Sequence, residues 1–96
     1  MKFQFAGEVW YWRGPSPFHF LTVPEAQSEE IKRVAKILTY GWGVIPARVQ
    51  VGKTEWTTSL IPKAGLYLIP LKKVVRDGEN INLGDVVDVK LSLESR

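Results

Sequence analysis

The sequence predicts a mainly β domain with a minor helical part: a small closed or half-closed β-barrel of roughly five to seven strands, one amphipathic helix and one short helix. Two observations predict this class. Short segments of alternating apolar and polar residues are separated by turn-forming residues, and only one long segment has helical periodicity. With 96 residues, the chain can form one hydrophobic core, so residues 1–96 are predicted to be a single domain.

The period-2 alternation predicts strands over residues 2–13, 18–23, 44–51, 54–61, 66–71 and 87–94. Gly52 and Lys53 join two of these strands. This pair suits a two-residue type II′ turn, because glycine adopts the positive φ that the first central position needs. Closing the strands into a barrel would remove the unpaired edges that so many β segments otherwise expose.

A stripe of apolar residues predicts the amphipathic helix. The stripe consists of Ile31, Val34, Ala35 and Leu38. Thr22 and Glu25 have the spacing of a capping box at the start of this helix, and Gly41 and Gly43 are expected to end it. A second, short helix is predicted over residues 72–77.

Composition and charge exclude several classes of site. Thirteen Lys and Arg residues against ten Asp and Glu residues give a net charge of +3, which is small for a dedicated nucleic-acid binder. The chain has no cysteine and one histidine, His19. Disulfides, thiolate catalysis and a zinc site of histidine and cysteine are therefore excluded. We expect no metal and no cofactor.

The location of the protein is predicted from the same features. The absence of cysteine fits a reducing cytosol. No apolar run follows the N-terminal charge as in a signal peptide, and no apolar run is long enough to span a membrane. We therefore expect a cytoplasmic protein with no membrane partner.

Residues 47–54, with the sequence ARVQVGKT, resemble a relaxed phosphate-binding loop. That site requires a flexible loop followed by a helix whose N-terminus faces the phosphate. Here two valines precede Gly52, and the residues after Thr54 alternate as in a strand. We therefore interpret this segment as a hairpin turn.

Two kinds of side chain remain open to more than one interpretation. His19 could act as a general base, but it lies between two phenylalanines with no nucleophile elbow nearby, so a structural role or an exposed strand position is favoured and no catalytic residue is assigned. The four tryptophans pack in the core and at the barrel ends, or stack on bases or sugars, or form an interface. They are Trp10, Trp12, Trp42 and Trp56. Packing is the favoured interpretation.

The strongest candidate site is a basic cluster of Lys72, Lys73 and Arg76. Lys72 and Arg76 are four residues apart on the predicted short helix, so they share one face. Such a cluster can hold a phosphate or a carboxylate, with strand hydroxyls as further donors and aromatic rings as walls. The other candidate ligand-binding residues are Arg48, Trp56, Thr58, Ser59 and Tyr67. The alternative is a solvated basic helix face.

Several motifs also resemble those of a bacterial family known as a domain of unknown function, DUF1905. They are WTTSLIP at residues 56–62, GLYLIPLKKVVR at 65–76 and LGDVV at 83–87, with WYWRGP at 10–15 and FHFLTVP at 18–24. The resemblance covers essentially the whole chain. It departs at Phe18, where members often have an indole, and at residues 77–80, where members have a more apolar turn.

The resemblance implies a small β-barrel with helices packed over it, and it implies no established activity. By matching position, the polar residues of the family motifs are Thr58, Ser59, Tyr67, Lys72 and Arg76. These side chains bind a ligand or satisfy buried backbone groups at a barrel end.

Three functions are compatible with these features of the sequence. The leading hypothesis is a non-enzymatic barrel that binds an anionic small molecule or a protein partner. The alternative is a barrel that binds single-stranded nucleic acid, which the small net charge disfavours. The third is a small enzyme, for which the sequence offers no nucleophile–base pair and no set of metal ligands.

Overall fold

The computed structural model describes residues 1–15, 17–38 and 45–93. These residues form seven strands and two helices. In chain order they are β1 (Lys2–Glu8), β2 (Trp10–Trp12), β3 (Phe18–Val23), α1 (Glu25–Leu38), β4 (Ile45–Val51), β5 (Thr54–Lys63), β6 (Leu66–Pro70), α2 (Lys73–Gly78) and β7 (Val86–Leu93). None of the described helices is long and apolar enough to cross a membrane.

All strand pairs are antiparallel, and the strands form one sheet in the order β1-β7-β4-β5-β6-β3-β2. The long strand β5 holds the two halves together, because Thr54–Leu60 pairs with β4 and Ile61–Lys63 pairs with β6. The sheet curls until β1 also contacts β3. The predicted mainly β class with a half-closed barrel is confirmed.

The strand predicted over residues 2–13 is in fact two strands that meet at Val9. The N–H of Val9 donates to the Asp85 carbonyl at 2.8 Å, and the Val9 carbonyl accepts from the Gly84 N–H at 2.9 Å. These bonds replace the sheet ladder at this residue, so the chain leaves β7 and pairs with β3 instead. The two strands at the ends of the sheet order are therefore joined by a single residue.

One face of the sheet is directed at the core, and we call it the inner face. It holds the odd-numbered residues of β1, β3, β4, β6 and β7 and the even-numbered residues of the first part of β5, as the alternation of burial shows. We call the opposite face the outer face. The deepest side chains include Leu21, Ile45, Val49, Ile69 and Leu91.

Helix α1 is anchored by Ser28, which is fully buried. Its hydroxyl donates to the Val23 carbonyl at 3.0 Å and accepts from the Tyr67 N–H at 3.2 Å, which ties the helix to β3 and β6. The predicted capping box is wrong, because Thr22 lies inside β3 and its hydroxyl accepts from Trp10 Nε1 at 2.9 Å. The predicted helix end at residues 41–43 lies outside the described residues.

Helix α2 crosses one end of the barrel. At its start, the Leu71 N–H donates to the His19 carbonyl at 2.9 Å. At its other end, the Thr54 hydroxyl is 2.6 Å from Glu79 Oε2, and between them Val75 is buried. We call this end of the barrel the α2 end. The short helix predicted at residues 72–77 is confirmed within one residue.

The hairpin interpretation of residues 47–54 is also confirmed. Gly52 and Lys53 form a two-residue turn between β4 and β5, and no helix follows. Gly52 has a φ of 60° while Lys53 has no positive φ, as a type II′ turn requires.

Replacing Ser28 with alanine is expected to lower the free energy of unfolding by about 1–3 kcal/mol, because the buried Tyr67 N–H loses its acceptor. Urea unfolding measures the change. Ser59→Ala is the matched control, since Ser59 is exposed on β5, and it should change the free energy by less than about 0.5 kcal/mol. Equal effects of the two substitutions would contradict the anchoring role of Ser28.

Candidate functional site

The structure does not bring all the predicted site residues together. Tyr67 is at the start of β6, beside Ser28 of α1, whereas Lys72 follows the end of the same strand. Five residues of extended chain separate them by about 16 Å. Tyr67 is buried, and this burial raises the pKa of its hydroxyl, while the charge of Lys32 on α1 lowers it. Tyr67 is therefore not a wall of a site at Lys72.

The candidates on β4 and β5 divide between the two faces of the sheet. Trp56 and Thr58 are on the inner face, opposite Val49 and Ala47, and Trp56 packs against the core. Its buried Nε1 has no hydrogen-bond partner among the described residues. Ser59 and Arg48 are on the outer face, so they point away from these two side chains.

Arg48 is held by an ion pair on the outer face. Its Nη1 is 3.1 Å from Glu55 Oε1, and both side chains are about half exposed. This pairing and the strand alternation separate Arg48 from the basic residues of α2.

Lys72, which is the N-cap of α2, and the helical residues Lys73 and Arg76 have different surroundings. Lys73 Nζ is 2.7 Å from Asp77 Oδ2. The hydrogen bond from Lys73, with the charges of Lys73 and Arg76, holds the pKa of Asp77 below its usual value. Lys72 is exposed and makes no side-chain cap. Lys73 is thus neutralised locally, whereas Lys72 and Arg76 form no ion pair with the carboxylates of the described residues.

Arg76 is fixed in place at the α2 end. It is half-buried, and its Nε donates to the Leu71 carbonyl at 3.3 Å. Beside it is His19, whose pKa is lowered by partial burial first and by the charge of Arg76 second. The His19 ring is 4.8 Å from the Tyr11 ring, centroid to centroid. Lys72 follows Leu71, whose N–H bonds to the His19 carbonyl and whose carbonyl accepts from Arg76. We call Tyr11, His19, Lys72 and Arg76 the cationic cluster.

The sequence points to Lys72 and Arg76 as site residues, whereas His19 is considered there as a general base and Tyr11 is given no role. The spacing of Lys72 and Arg76 is visible in the sequence, although Lys72 is the extended N-cap of α2 and is not part of the helix as predicted. The pairing of Tyr11 with His19 depends on the register of β2 with β3, and the approach of Arg76 depends on where α2 crosses the barrel. Neither relation is encoded in a local motif.

The cationic cluster has donors suited to an anion. A guanidinium, an ammonium and a phenol can all donate hydrogen bonds to a phosphate or carboxylate, and a protonated imidazole can join them. No carboxylate of the described residues forms an ion pair with His19. Within the same residues, no group of three or more His, Asp or Glu side chains could hold a metal ion.

A second feature is a groove on the outer face, which we call the aromatic groove. It has a volume of about 240 Å³ and is lined by Trp12, Phe20, Ile61, Pro62, Lys63 and Leu68. The three tryptophans within the described residues differ in position. Trp10 and Trp12 lie together on the outer face, with ring centroids 6.5 Å apart, whereas Trp56 packs on the core. Trp42 lies outside the described residues.

Replacing Arg76 with glutamine is expected to raise the pKa of His19 toward its ordinary value, because the nearby positive charge disfavours the imidazolium. The pKa should stay below that value, since burial acts independently of Arg76. A proton NMR titration of the single imidazole measures it. Arg33→Gln, on the exposed side of α1, is the control, and an unchanged pKa in Arg76→Gln would contradict the proximity of the two groups.

Comparison with known proteins identifies the family of the chain. The sequence model of a family described as a domain of unknown function (DUF1905) matches residues 5–91. No curated protein matches the chain. Because the match covers nearly the whole length, and both the strand pattern and the second helix fall within it, the chain belongs to the DUF1905 family.

Proposed function

We propose that the protein is a non-enzymatic binding domain that holds an anionic group at the α2 end of its barrel, through Arg76, Lys72 and His19. The main support for this proposal comes from the groups that surround Arg76. This half-buried guanidinium is fixed by a backbone carbonyl and forms no ion pair with a carboxylate of the described residues. Partly buried charges in proteins are usually paired.

The arrangement of Arg76 favours binding of a phosphate or a carboxylate. Its Nε is occupied by the Leu71 carbonyl, which orients the guanidinium and leaves the two terminal amino groups as donors. A guanidinium held in advance loses less side-chain entropy when it binds an anion. Lys72, four residues earlier, adds a second cation.

His19 makes the binding dependent on pH. A bound anion favours the imidazolium, so binding should raise the pKa of His19 against the effects of burial and Arg76. By linkage, protonation of His19 should in turn strengthen binding of the anion. Affinity is therefore expected to increase as the pH falls through the titration of His19.

Three further parts of the proposal concern context. The anion can belong to a small molecule or to an acidic group on a protein partner, because both present the same kind of acceptor to Arg76. The cationic cluster can bind either one. We also propose a cytoplasmic location, because a chain without cysteine fits a reducing compartment. A bacterial origin belongs to the proposal as well, since it rests on the family resemblance.

Catalysis and nucleic-acid binding have less support. His19 has a cation and an aromatic ring as neighbours, and a general base is normally oriented by a carboxylate. Single-stranded nucleic acid would stack on aromatic rings and bind a track of cations. The aromatic groove offers the rings, but Lys63 is the one cation among its lining residues.

Inorganic phosphate tests the anion site. The pKa of His19, measured by proton NMR, should be higher in phosphate than in chloride of equal ionic strength, because the bound anion stabilises the imidazolium. The apparent affinity for phosphate should fall about tenfold in Arg76→Gln, which removes a hydrogen-bonded charge. Lys90→Gln, an exposed lysine on β7, is the matched control.

Two results would contradict the anion site. One is a pKa of His19 that is the same in phosphate and chloride. The other is an equal loss of phosphate affinity in Arg76→Gln and Lys90→Gln, which would show that the attraction is only that of the net charge. Thermal unfolding of each variant confirms that it is folded during the titration.

For single-stranded nucleic acid we expect no gel shift of an oligothymidylate at about 50 mM salt, because a footprint on several phosphates needs several grouped cations. The small net charge of +3 supports this expectation. A shift that weakens steeply between about 50 and 200 mM salt would contradict it and favour the nucleic-acid alternative.

A further inference from the structure

The aromatic groove is formed by four strands that meet on the outer face. Ile61 pairs with Leu68 across β5 and β6, and β3 and β2 supply Phe20 and Trp12. Alternation along each strand places these side chains on the face opposite the core. The groove is therefore separate from the cationic cluster, whose Tyr11 and His19 have the opposite parity on β2 and β3.

The main wall of the groove is held rigidly. A side chain at Gly14 would overlap the indole of Trp12, so the turn after β2 lies directly against this ring. Lys63 Nζ is over the ring, 3.8 Å from its centroid. Trp10 meets Trp12 edge to face and is itself fixed by its bond to Thr22. A wall that is already ordered loses little entropy when a ligand binds.

The volume of the groove sets the size of an occupant. Its 240 Å³ exceeds the roughly 150 Å³ of a cavity that holds benzene. One aromatic ring with two or three further carbon atoms fits this space. Apolar walls on Trp12, Phe20 and Ile61, which is 37% exposed, suit such a group.

The charged residue of the groove indicates which polar group a ligand should carry. Lys63 is the one charged residue that lines it, and no carboxylate of the described residues forms an ion pair with this ammonium. Its present partner is the face of Trp12, a contact worth about 0.5–1 kcal/mol at an exposed site. A carboxylate at the rim of the groove can pair with Lys63 while the Trp12 ring stays beneath the ammonium.

We propose that the aromatic groove binds a small carboxylic acid, with its aromatic or branched apolar part against Trp12 and Phe20 and its carboxylate paired with Lys63. A nucleic acid fits these observations less well, because a single ammonium cannot follow a chain of phosphates. A second copy of the chain fits less well too, because a groove of 240 Å³ receives a single side chain and not an interface of standard size.

The test compares two ligands of equal shape. We would titrate the ¹⁵N-labelled full chain with 3-phenylpropionate and with 3-phenylpropionamide, and follow the indole N–H of Trp12 and the amides of Ile61 and Lys63. Both ligands should move these signals. The carboxylate should bind about threefold more tightly than the amide, as expected for a partly exposed ion pair.

Two variants distinguish the contribution of the Lys63 charge to binding from that of the shape of the groove. Lys63→Met keeps an unbranched apolar chain over Trp12 and removes the ammonium, so the preference for the carboxylate should disappear while amide binding persists. Lys90→Met is the matched control, since Lys90 is exposed on β7 and does not line the groove. It should keep the threefold preference.

Each of four outcomes would overturn the proposal. Equal affinity of the unaltered protein for the acid and the amide would show that Lys63 does not pair with the carboxylate. Signals that move only at Tyr11, His19 and Arg76 would assign the acid to the cationic cluster. Groove signals that shift with protein concentration alone would show that a second copy covers the groove. Tighter binding of an oligothymidylate than of the acid, at the same signals, would favour nucleic acid.

Discussion

The structure depends on the constraint that Val9 imposes on the sheet. This residue joins the two strands at the ends of the sheet order, and both of its backbone groups bond to the turn at residues 84–85. Its side chain is 1% exposed, so it also fills the core. Because one residue spans the gap, the sheet has to curl, and the curl brings β1 against β3. The approach is close at Gly7, where a Cβ atom would lie in ordinary van der Waals contact, 3.5 Å from Leu21 Cδ2.

Curling divides the sheet into two environments. The inner face is filled by aliphatic side chains. Helix α2 lies across one end of it, and both Arg76 and His19 are hydrogen-bonded there to the backbone of Leu71. The outer face carries the rings of Trp10, Trp12 and Phe20, and Lys63 covers the ring of Trp12. The cationic cluster and the aromatic groove, which are the two proposed binding surfaces, therefore share no side chain. The ion pairs differ between these cations: Lys73 and Arg48 are paired with acids, while Arg76 donates to a backbone carbonyl and forms no ion pair within the part of the chain that the structure describes.

The strand and helix pattern could be predicted from the sequence because it is local. Alternation and turn chemistry identified β3 to β7 within one or two residues, and the Gly52 turn followed from the need for a positive φ. The break at Val9 could not be predicted, since it arises from bonds to a turn about 75 residues away. The candidate site was predicted in part. Lys72 and Arg76 are close in sequence, but Lys72 is the extended N-cap and Arg76 lies within α2. The distance of Tyr67 from them follows from the direction of β6, and the approach of Arg76 to His19 follows from the crossing of α2.

The most direct test of this account is the distance between Gly7 and Leu21 in solution. In the curled sheet they are adjacent, since a Cβ atom at Gly7 would lie 3.5 Å from Leu21 Cδ2. In a flat sheet with the same order of strands, β1 and β3 would be five strands apart, or about 24 Å. We predict a strong nuclear Overhauser effect between the Gly7 α-protons and the Leu21 methyl groups. Its absence, together with rapid hydrogen exchange at the Val9 amide, would contradict the closure on which both proposed binding surfaces depend.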